Sequence, residues 1–472
     1  MTSILLIVTT VLLFGTTLWI SRRPLGAALL VPILWLVTIP VESLALAGKL
    51  GIEGTARDNM YVAISIANVA FAGFQLFAAF GGVTTLQSRV QVWATAGRGA
   101  THEDSGTVRY WFGGLLVIAV GLAVLHWALM PGIPLVQLLQ GTDANQLQVA
   151  RENSAKLLAA PTLLKYAFTW NSRILLPILF TTAILYRWRW TAVLVGAFGL
   201  LYIISPLERL PAVLFVLGPF AAIAIRDGKR IWSPLVVIGV VVSLLPALAL
   251  TEAIQYEVRP APVSTAVKPP TPTPSPTPNT SPLSPGDFTG LPLPIAAALD
   301  LILRRIGEGP TDVTYEWFVV FPAHHPFLNG SGWEPWHVLS PGYQTPANIV
   351  GLWAYYGKPG YDLTSLSAYG SFIADGWAEF GMAGVVIAAL LLLGLILVLE
   401  LMRGLGNQPF TLACYVTPVV LVAVVAPQAG LPAMVLSLGV WLAPLLGLGY
   451  ILTEGRIRSV RGLRLAERPT PP

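Results

Sequence analysis

Long apolar runs, each near the ~20 residues that an α-helix needs to cross a hydrocarbon core, recur from one end of this chain to the other. Read against their flanking charges, they predict about eleven membrane spans, at residues 3–20, 25–46, 61–84, 110–130, 163–186, 190–204, 209–225, 232–250, 373–401, 409–426 and 430–452. Two polar stretches are too long to be simple connections, residues 131–162 and, far larger, 251–372. The predicted fold is all-α, a polytopic transmembrane helix bundle. Residues 1–250 hold the first eight spans, 251–372 form one large extracytoplasmic loop, 373–452 hold the last three spans, and 453–472 form a basic tail.

Composition excludes a water-soluble core, because 55% of residues are hydrophobic and only 11% are charged. Charge sets the orientation. Of the 28 Lys and Arg, 16 lie in the connections carrying Arg22 and Arg23, Arg89 to Arg109, Arg187 and Arg189, Arg226 to Arg230, and Arg403, and in the tail. All of these fall on one side of the map, which the positive-inside rule assigns to the cytoplasm. The large loop carries more acids than bases, so the net charge of +5 is a topology signal and not one for nucleic acid. The first run begins at Met1 with no basic n-region and no small-residue cleavage site, and is read as a retained span. Cys414, the single cysteine, falls in a predicted span, so no internal disulfide staples the outer loop.

Within that loop, residues 269–285 (PPTPTPSPTPNTSPLSP) are a low-complexity tract that buries no apolar surface, and they read as an extended spacer. Beyond it, residues 304–332 gather paired arginines, carboxylates and two histidines into one polar segment. Residues 294–306 carry apolar positions on a helical period, as in a helix lying along a membrane surface, and contain Arg304 and Arg305 at their end. These two guanidinium groups either snorkel to lipid headgroups or grip a diphosphate through their planar forks. A second helix starting near Thr311 puts Asp312 and Glu316 on one face, four residues apart. They are either a solvated pair or, beside Tyr315, Trp317, Phe318 and Phe321, a desolvated source of a general base. His324 and His325 precede Pro326, and Asn329, Gly330, Ser331 and Gly332 follow, a composition that turns the backbone sharply. Zinc has little support there, since cysteine ligands are absent and His337 is the only other histidine of the loop.

Ionisable residues at membrane depth are costly, which makes each a functional candidate. WNSR at 170–173 puts Arg173 inside the fifth span, and SPLERL at 205–210 puts Glu208 and Arg209 at the outer end of the seventh. Arg173 and Glu208 either close an internal salt bridge or serve a ligand. Asp375 and Glu379 open the ninth span, where the helix dipole favours carboxylates with or without chemistry. Glu53 and Asp58 form a weaker acidic pair, Lys165 reads as snorkelling to the outer interface, and His126 reads as a span residue hydrogen-bonded internally. The GxxxxGK(S/T), GxSxG and HExxH motifs are missing from the sequence, which argues against ATP-driven transport, serine hydrolysis and zinc proteolysis.

FPAHHPFLNG at 321–330, in an outer loop ahead of the last three spans, and YGSFIADGWAEFGMAG at 369–384, a polar opening into a long apolar helix, together carry a resemblance. The chain resembles the bacterial O-antigen polymerase-like, or oligosaccharide repeat-unit polymerase, membrane proteins, over most of its layout but in few residue identities. The resemblance implies a GT-C-like bundle in the bacterial cytoplasmic membrane with its C-terminus in the cytoplasm. It implies an enzyme that transfers a glycan from an undecaprenyl-diphosphate donor to a lipid-linked acceptor at the outer face, with no metal, nucleotide or other cofactor. The implied partners are that lipid-linked glycan, membrane lipids and a chain-length regulator. Arg173, Arg209 and Arg305 occupy places comparable to those of the arginines the family uses at the lipid diphosphate, and Arg304, Asn329, Trp333, Asp375 and Glu379 complete the expected substrate-binding set. His325 is the first candidate for the base, with Glu316 second and Asp312 a turn away. The chemistry is self-consistent, because a diphosphate leaving group brings its own activation and leaves the protein to neutralise charge and deprotonate a sugar hydroxyl. The Pro/Thr-rich insertion and the odd span count depart from the family pattern. A glycan ligase would use the same groups, whereas a transporter or flippase would need paired internal repeats, which the sequence does not display.

Single cysteines introduced at Ser275 and Ser459 check the topology. In intact cells an impermeant thiol reagent should label position 275 and spare position 459; protection of position 275 refutes the map.

Overall fold

The computed structural model describes residues 1–23, 26–46, 54–95, 105–142, 146–147, 150–151, 153–154, 161–230, 233–236, 238–240, 242–243, 309–333, 345–355, 368–405 and 408–466. The spacer at 269–285, Arg304, Arg305, Glu53 and most of the predicted eighth span lie outside them. Among the described residues there is no strand. In chain order the main helices are α1 (Thr2–Ile20), α2 (Ala27–Thr38), α3 (Thr55–Ala79), α4 (Gly82–Thr95), α5 (Ser105–Leu129), α6 (Thr162–Leu185), α7 (Arg189–Ile204), α8 (Arg209–Arg226), α9 (Gly309–Val320), α10 (Pro346–Tyr355), α11 (Phe372–Arg403), α12 (Pro409–Val425) and α13 (Leu442–Ala466).

Six of these are long and apolar enough to cross a membrane: α1, α2 with its continuation to Leu44, α3, α5, α6 and α11. Shorter apolar helices fill α7, α8, α12 and the first half of α13. The protein is thus a helical membrane protein, and the predicted spans other than the eighth fall on helices, but three are not the continuous rods expected. The third begins at Thr55 and ends at Ala79, and a turn at Phe80 and Gly81 separates it from α4. The eleventh is interrupted: a π-turn at Ala433–Ser437 ends at Gly439, and α13 starts only at Leu442. The ninth, α11, is bent back on itself.

Helix α12 is the axis of the bundle. Its residues are buried on almost every side, and it packs against α2, α6, α8, α11 and α13, which is why its sequence is apolar all round. Apolar surfaces give helices little reason to associate in lipid, and buried polar side chains supply the missing specificity. Asn68 on α3 accepts from Trp35 Nε1 at 3.0 Å and donates to Thr10 Oγ1 at 3.2 Å. One helical turn-pair further on, Gln75 accepts from Thr16 Oγ1 at 2.6 Å and donates to Thr17 Oγ1 at 3.0 Å. These bonds lock α1, α2 and α3 in register.

At one end of the bundle the start of α2 meets the ends of α3 and α11. Arg23 donates to the carbonyls of Ala78 and Ala79 at the end of α3, satisfying groups that a helix C-terminus leaves open. Glu400 near the end of α11 accepts the Ala28 amide at 2.9 Å, while the Tyr415 hydroxyl accepts the Ala27 amide at 3.2 Å. Two side chains from other helices thereby cap the start of α2.

The bend in α11 falls at Phe380 (φ −137°, ψ 23°) and Gly381 (φ 59°, ψ −138°). Residues 372–379 form a short helix, the chain reverses, and the long span follows. The two arms cross so closely at Gly376 and Gly384 that a Cβ on Gly376 would lie 2.4 Å from the Gly384 carbonyl oxygen. Gly376→Val therefore cannot be absorbed by a side-chain shift. It should destabilise the detergent-solubilised protein by about 3 kcal/mol or more, read as a lowered unfolding temperature, because backbone must move to relieve the overpacking.

Candidate functional site

Three departures from regular helix surround one cavity of about 990 Å³, at the upper end of the range typical of small-molecule sites. They are the π-turn Asn171–Leu175 within α6, the reversal of α11, and the interrupted stretch 428–438 after α12. Irregular backbone at membrane depth survives only where protein or an internal cavity satisfies it, so its convergence here makes this cavity the candidate site.

Each irregularity has a local reason. Trp170 donates its indole N–H to the Leu436 carbonyl at 2.7 Å, tying the π-turn of α6 to the interrupted stretch. The reversal of α11 orphans the last carbonyls of the short helix, and residues 328–332 satisfy them. The amides of Leu328 and Asn329 donate to the carbonyls of Ala378 and Glu379, each at 2.9 Å. The amides of Gly330 and Gly332 donate to Glu379 Oε2 at 2.9 and 3.3 Å. A Cβ on Gly332 would sit 1.9 Å from Glu379 Oε1, so any side chain there would push the carboxylate out of its present position. Asn329 takes the left-handed conformation (φ 52°) that asparagine tolerates best among residues with a Cβ. The HPFLNGSG turn is thus a cap for a broken helix. Glu379 is fully buried at the C-terminal end of that short helix, where the dipole opposes a carboxylate, so the loop amides and not the dipole hold it.

The same turn delivers Trp333, whose Nε1 donates to Asp375 Oδ2 at 2.7 Å. Both residues line the cavity. On another wall, Arg173 Nη2 meets Glu208 Oε2 at 3.4 Å. Glu208 is 40% exposed, and such a pair is worth only about 0–1 kcal/mol. Arg173 Nε is buried and has no hydrogen-bond partner among the described residues. The guanidinium fork is therefore mostly unused. Leu207, the residue before Glu208, is buried with φ 61°, a strained turn that aims Glu208 at the cavity. Lys165, Tyr166, Phe168, Tyr202, Trp317 and Tyr369 complete much of the lining. His126 Nδ1 lies 2.8 Å from Tyr202 Oη and its ring stacks on Phe168 at 4.4 Å.

Of the residues expected from sequence, Arg173, Trp333 and Asp375 are brought together around the cavity, and Glu379 holds the loop behind them. Arg209 opens α8 next to Glu208; its side chain lies outside the described residues, as do Arg304 and Arg305. Asp312 and Glu316 sit on α9 as anticipated, but that helix turns Pro310, Val313 and Trp317 to the cavity, so the two acids fall on a neighbouring face. Burial, reinforced by Glu316, pushes the Tyr315 phenol above its ordinary value and keeps it protonated. His325 is not among the cavity-lining residues; its Nδ1 lies 2.8 Å from the Pro326 carbonyl oxygen on the rim of the turn. Asn329 is exposed and serves the turn through its backbone. Asp58 accepts from Thr2 Oγ1 at 2.7 Å, a contact between α1 and α3. Sequence reading missed Lys165 as a cavity residue and the whole stretch 428–438, although Pro427, Gly430, Pro432 and Gly439 signal a broken helix there.

Comparison with known protein families, with curated proteins and with solved structures finds no match to this chain.

The clamp is testable apart from any activity. Glu379→Ala should leave the Gly330 and Gly332 amides without an acceptor, costing about 1–3 kcal/mol per orphaned group, and hydrogen exchange over residues 328–333 should accelerate relative to α12. Unchanged exchange would show that the loop is held by other contacts.

Proposed function

We propose that this protein is a membrane glycosyltransferase that polymerises undecaprenyl-diphosphate-linked oligosaccharide units at the outer face of a bacterial cytoplasmic membrane. The observation that carries this reading is Arg173: a guanidinium at membrane depth, in a cavity wall, with one long ion-pair contact and a buried Nε–H that no described residue accepts. A planar cation left in that state is built for an anion with several oxygens, and a diphosphate fits its fork. Lys165 on the same helix adds charge. Tyr166, Trp317, Trp333 and Tyr369 offer ring faces along which sugars can lie.

In this mechanism the diphosphate of the donor displaces Glu208 from Arg173, which then neutralises the charge that grows as the anomeric C–O bond breaks. The acceptor hydroxyl attacks the anomeric carbon, and undecaprenyl diphosphate leaves. A second reading, transport of the same anionic lipid, is favoured by the broken helices at the cavity, since transporters build sites from such breaks. The product decides between them: a ladder of lengthened glycans means polymerase, and movement of unlengthened lipid between leaflets means transporter.

Arg173→Lys keeps the charge and loses the fork. Affinity for undecaprenyl diphosphate, titrated in detergent, should fall roughly tenfold or more, with monodisperse protein in gel filtration. Wild-type affinity in that variant removes Arg173 from the site.

A further inference from the structure

We infer that Asp375 is the general base that activates the acceptor hydroxyl, an assignment that rests on the polymerase reading and deepens it. Among the described residues lining the cavity, the carboxylates are Glu208 and Asp375. Glu208 is the counter-ion of Arg173, so it stands where the leaving diphosphate must bind. A base there would repel the leaving group and face the wrong side of the reacting carbon. His126 is engaged on the same side, bonded to Tyr202 on α7 and stacked on Phe168 of α6. Asp375 stands on a different wall, on the short arm of α11, opposite the interrupted stretch after α12.

The surroundings of Asp375 are those of a preorganised group. Trp333 Nε1 donates to Oδ2 at 2.7 Å. The carboxylate lies directly on Gly430, where a Cβ would come within 2.4 Å of its Cγ. The Trp333 bond and the close seat on Gly430 together position the carboxylate, which is among the groups lining the cavity. Trp317, Trp333 and Tyr369 flank it with the surfaces a sugar ring needs. Glu379, one turn along the same arm, acts through the turn it clamps: by holding Gly330 and Gly332 it sets the position of Trp333, and it is a positioning residue.

In the step assigned here, the acceptor oxygen forms a bond to the anomeric carbon of the donor while that carbon's bond to the diphosphate oxygen breaks. Undecaprenyl diphosphate leaves with the electron pair. The hydroxyl proton passes to Asp375 and from there to water, so charge and atoms balance without an oxidant or reductant.

Purified full-length protein, supplied with lipid-linked oligosaccharide extracted from the source cells, tests the assignment. Asp375→Asn is nearly isosteric and should lower the polymer-forming rate about 100-fold or more while undecaprenyl diphosphate binds within about twofold of wild type. Asp375→Glu, which restores a displaced carboxylate, should recover part of the rate. Trp333→Phe, which keeps the carboxylate and loses its fixing bond, should cost roughly fivefold in kcat with donor binding intact, and it carries the test if Asp375→Asn does not fold. A rate within about threefold of wild type for Asp375→Asn, or for Trp333→Phe an unchanged rate, overturns the assignment. Equal loss of binding and rate in Asp375→Asn also overturns it, since that is the signature of a donor ligand. Wild-type protein that neither binds undecaprenyl diphosphate nor lengthens the glycan overturns the polymerase reading itself, and the base with it.

Discussion

A helix that stops inside a membrane bundle must find partners for the carbonyls it leaves open, and in this protein that requirement organises the site. The α11 reversal at Phe380 and Gly381 exposes the carbonyls of Ala378 and Glu379, and the Glu379 side chain beside them is a fully buried acid. Residues 328–332 answer the two carbonyls and Glu379 Oε2 with four backbone amides. From that clamp follow the position of Trp333, the orientation of Asp375 and the close crossing of the two α11 arms at Gly376 and Gly384.

The rest of the bundle serves as a rigid frame for these irregular pieces. Apolar packing around α12, the Asn68 and Gln75 hydrogen bonds, and the capping of α2 by Glu400 and Tyr415 all use ordinary helix physics. Chemistry-bearing groups sit where the helices deviate. Arg173 is carried by a π-turn, Glu208 by a strained turn, Asp375 by a folded-back arm, and the facing wall by a stretch that Trp170 pins. Such deviations bring side chains from distant parts of the sequence to one cavity while regular helices keep the gaps between them fixed.

Sequence reading identified many of the groups that matter but for partly different reasons. Arg173 and Glu208 stood out because charges at membrane depth are costly, and the structure pairs them. Asp375 and Glu379 were legible as acids at the opening of an apolar run, and the dipole argument accounts for Asp375 in the first turn. It fails for Glu379, because no periodicity in FIADGWAEFGMAG announces that the helix ends at Phe380. The histidine pair and the α9 acids drew notice as polar residues in an apolar chain, yet His325 lies on the rim and the α9 acids on a face beside the cavity.

What the sequence by itself determined is the helical, membrane-embedded class and the location of the six helices long and apolar enough to span. Hydrophobic run length is a local quantity that a bilayer reads directly, one segment at a time. Tertiary structure alone decided that α11 folds back, that the NGSGW turn caps it, and that Arg173, Trp333 and Asp375 share one cavity. Those outcomes depend on which orphaned backbone groups meet which amides across more than forty residues of intervening chain, as between Gly330 and Glu379. That pairing is set by packing in three dimensions, and nothing in the local spacing of residues encodes it.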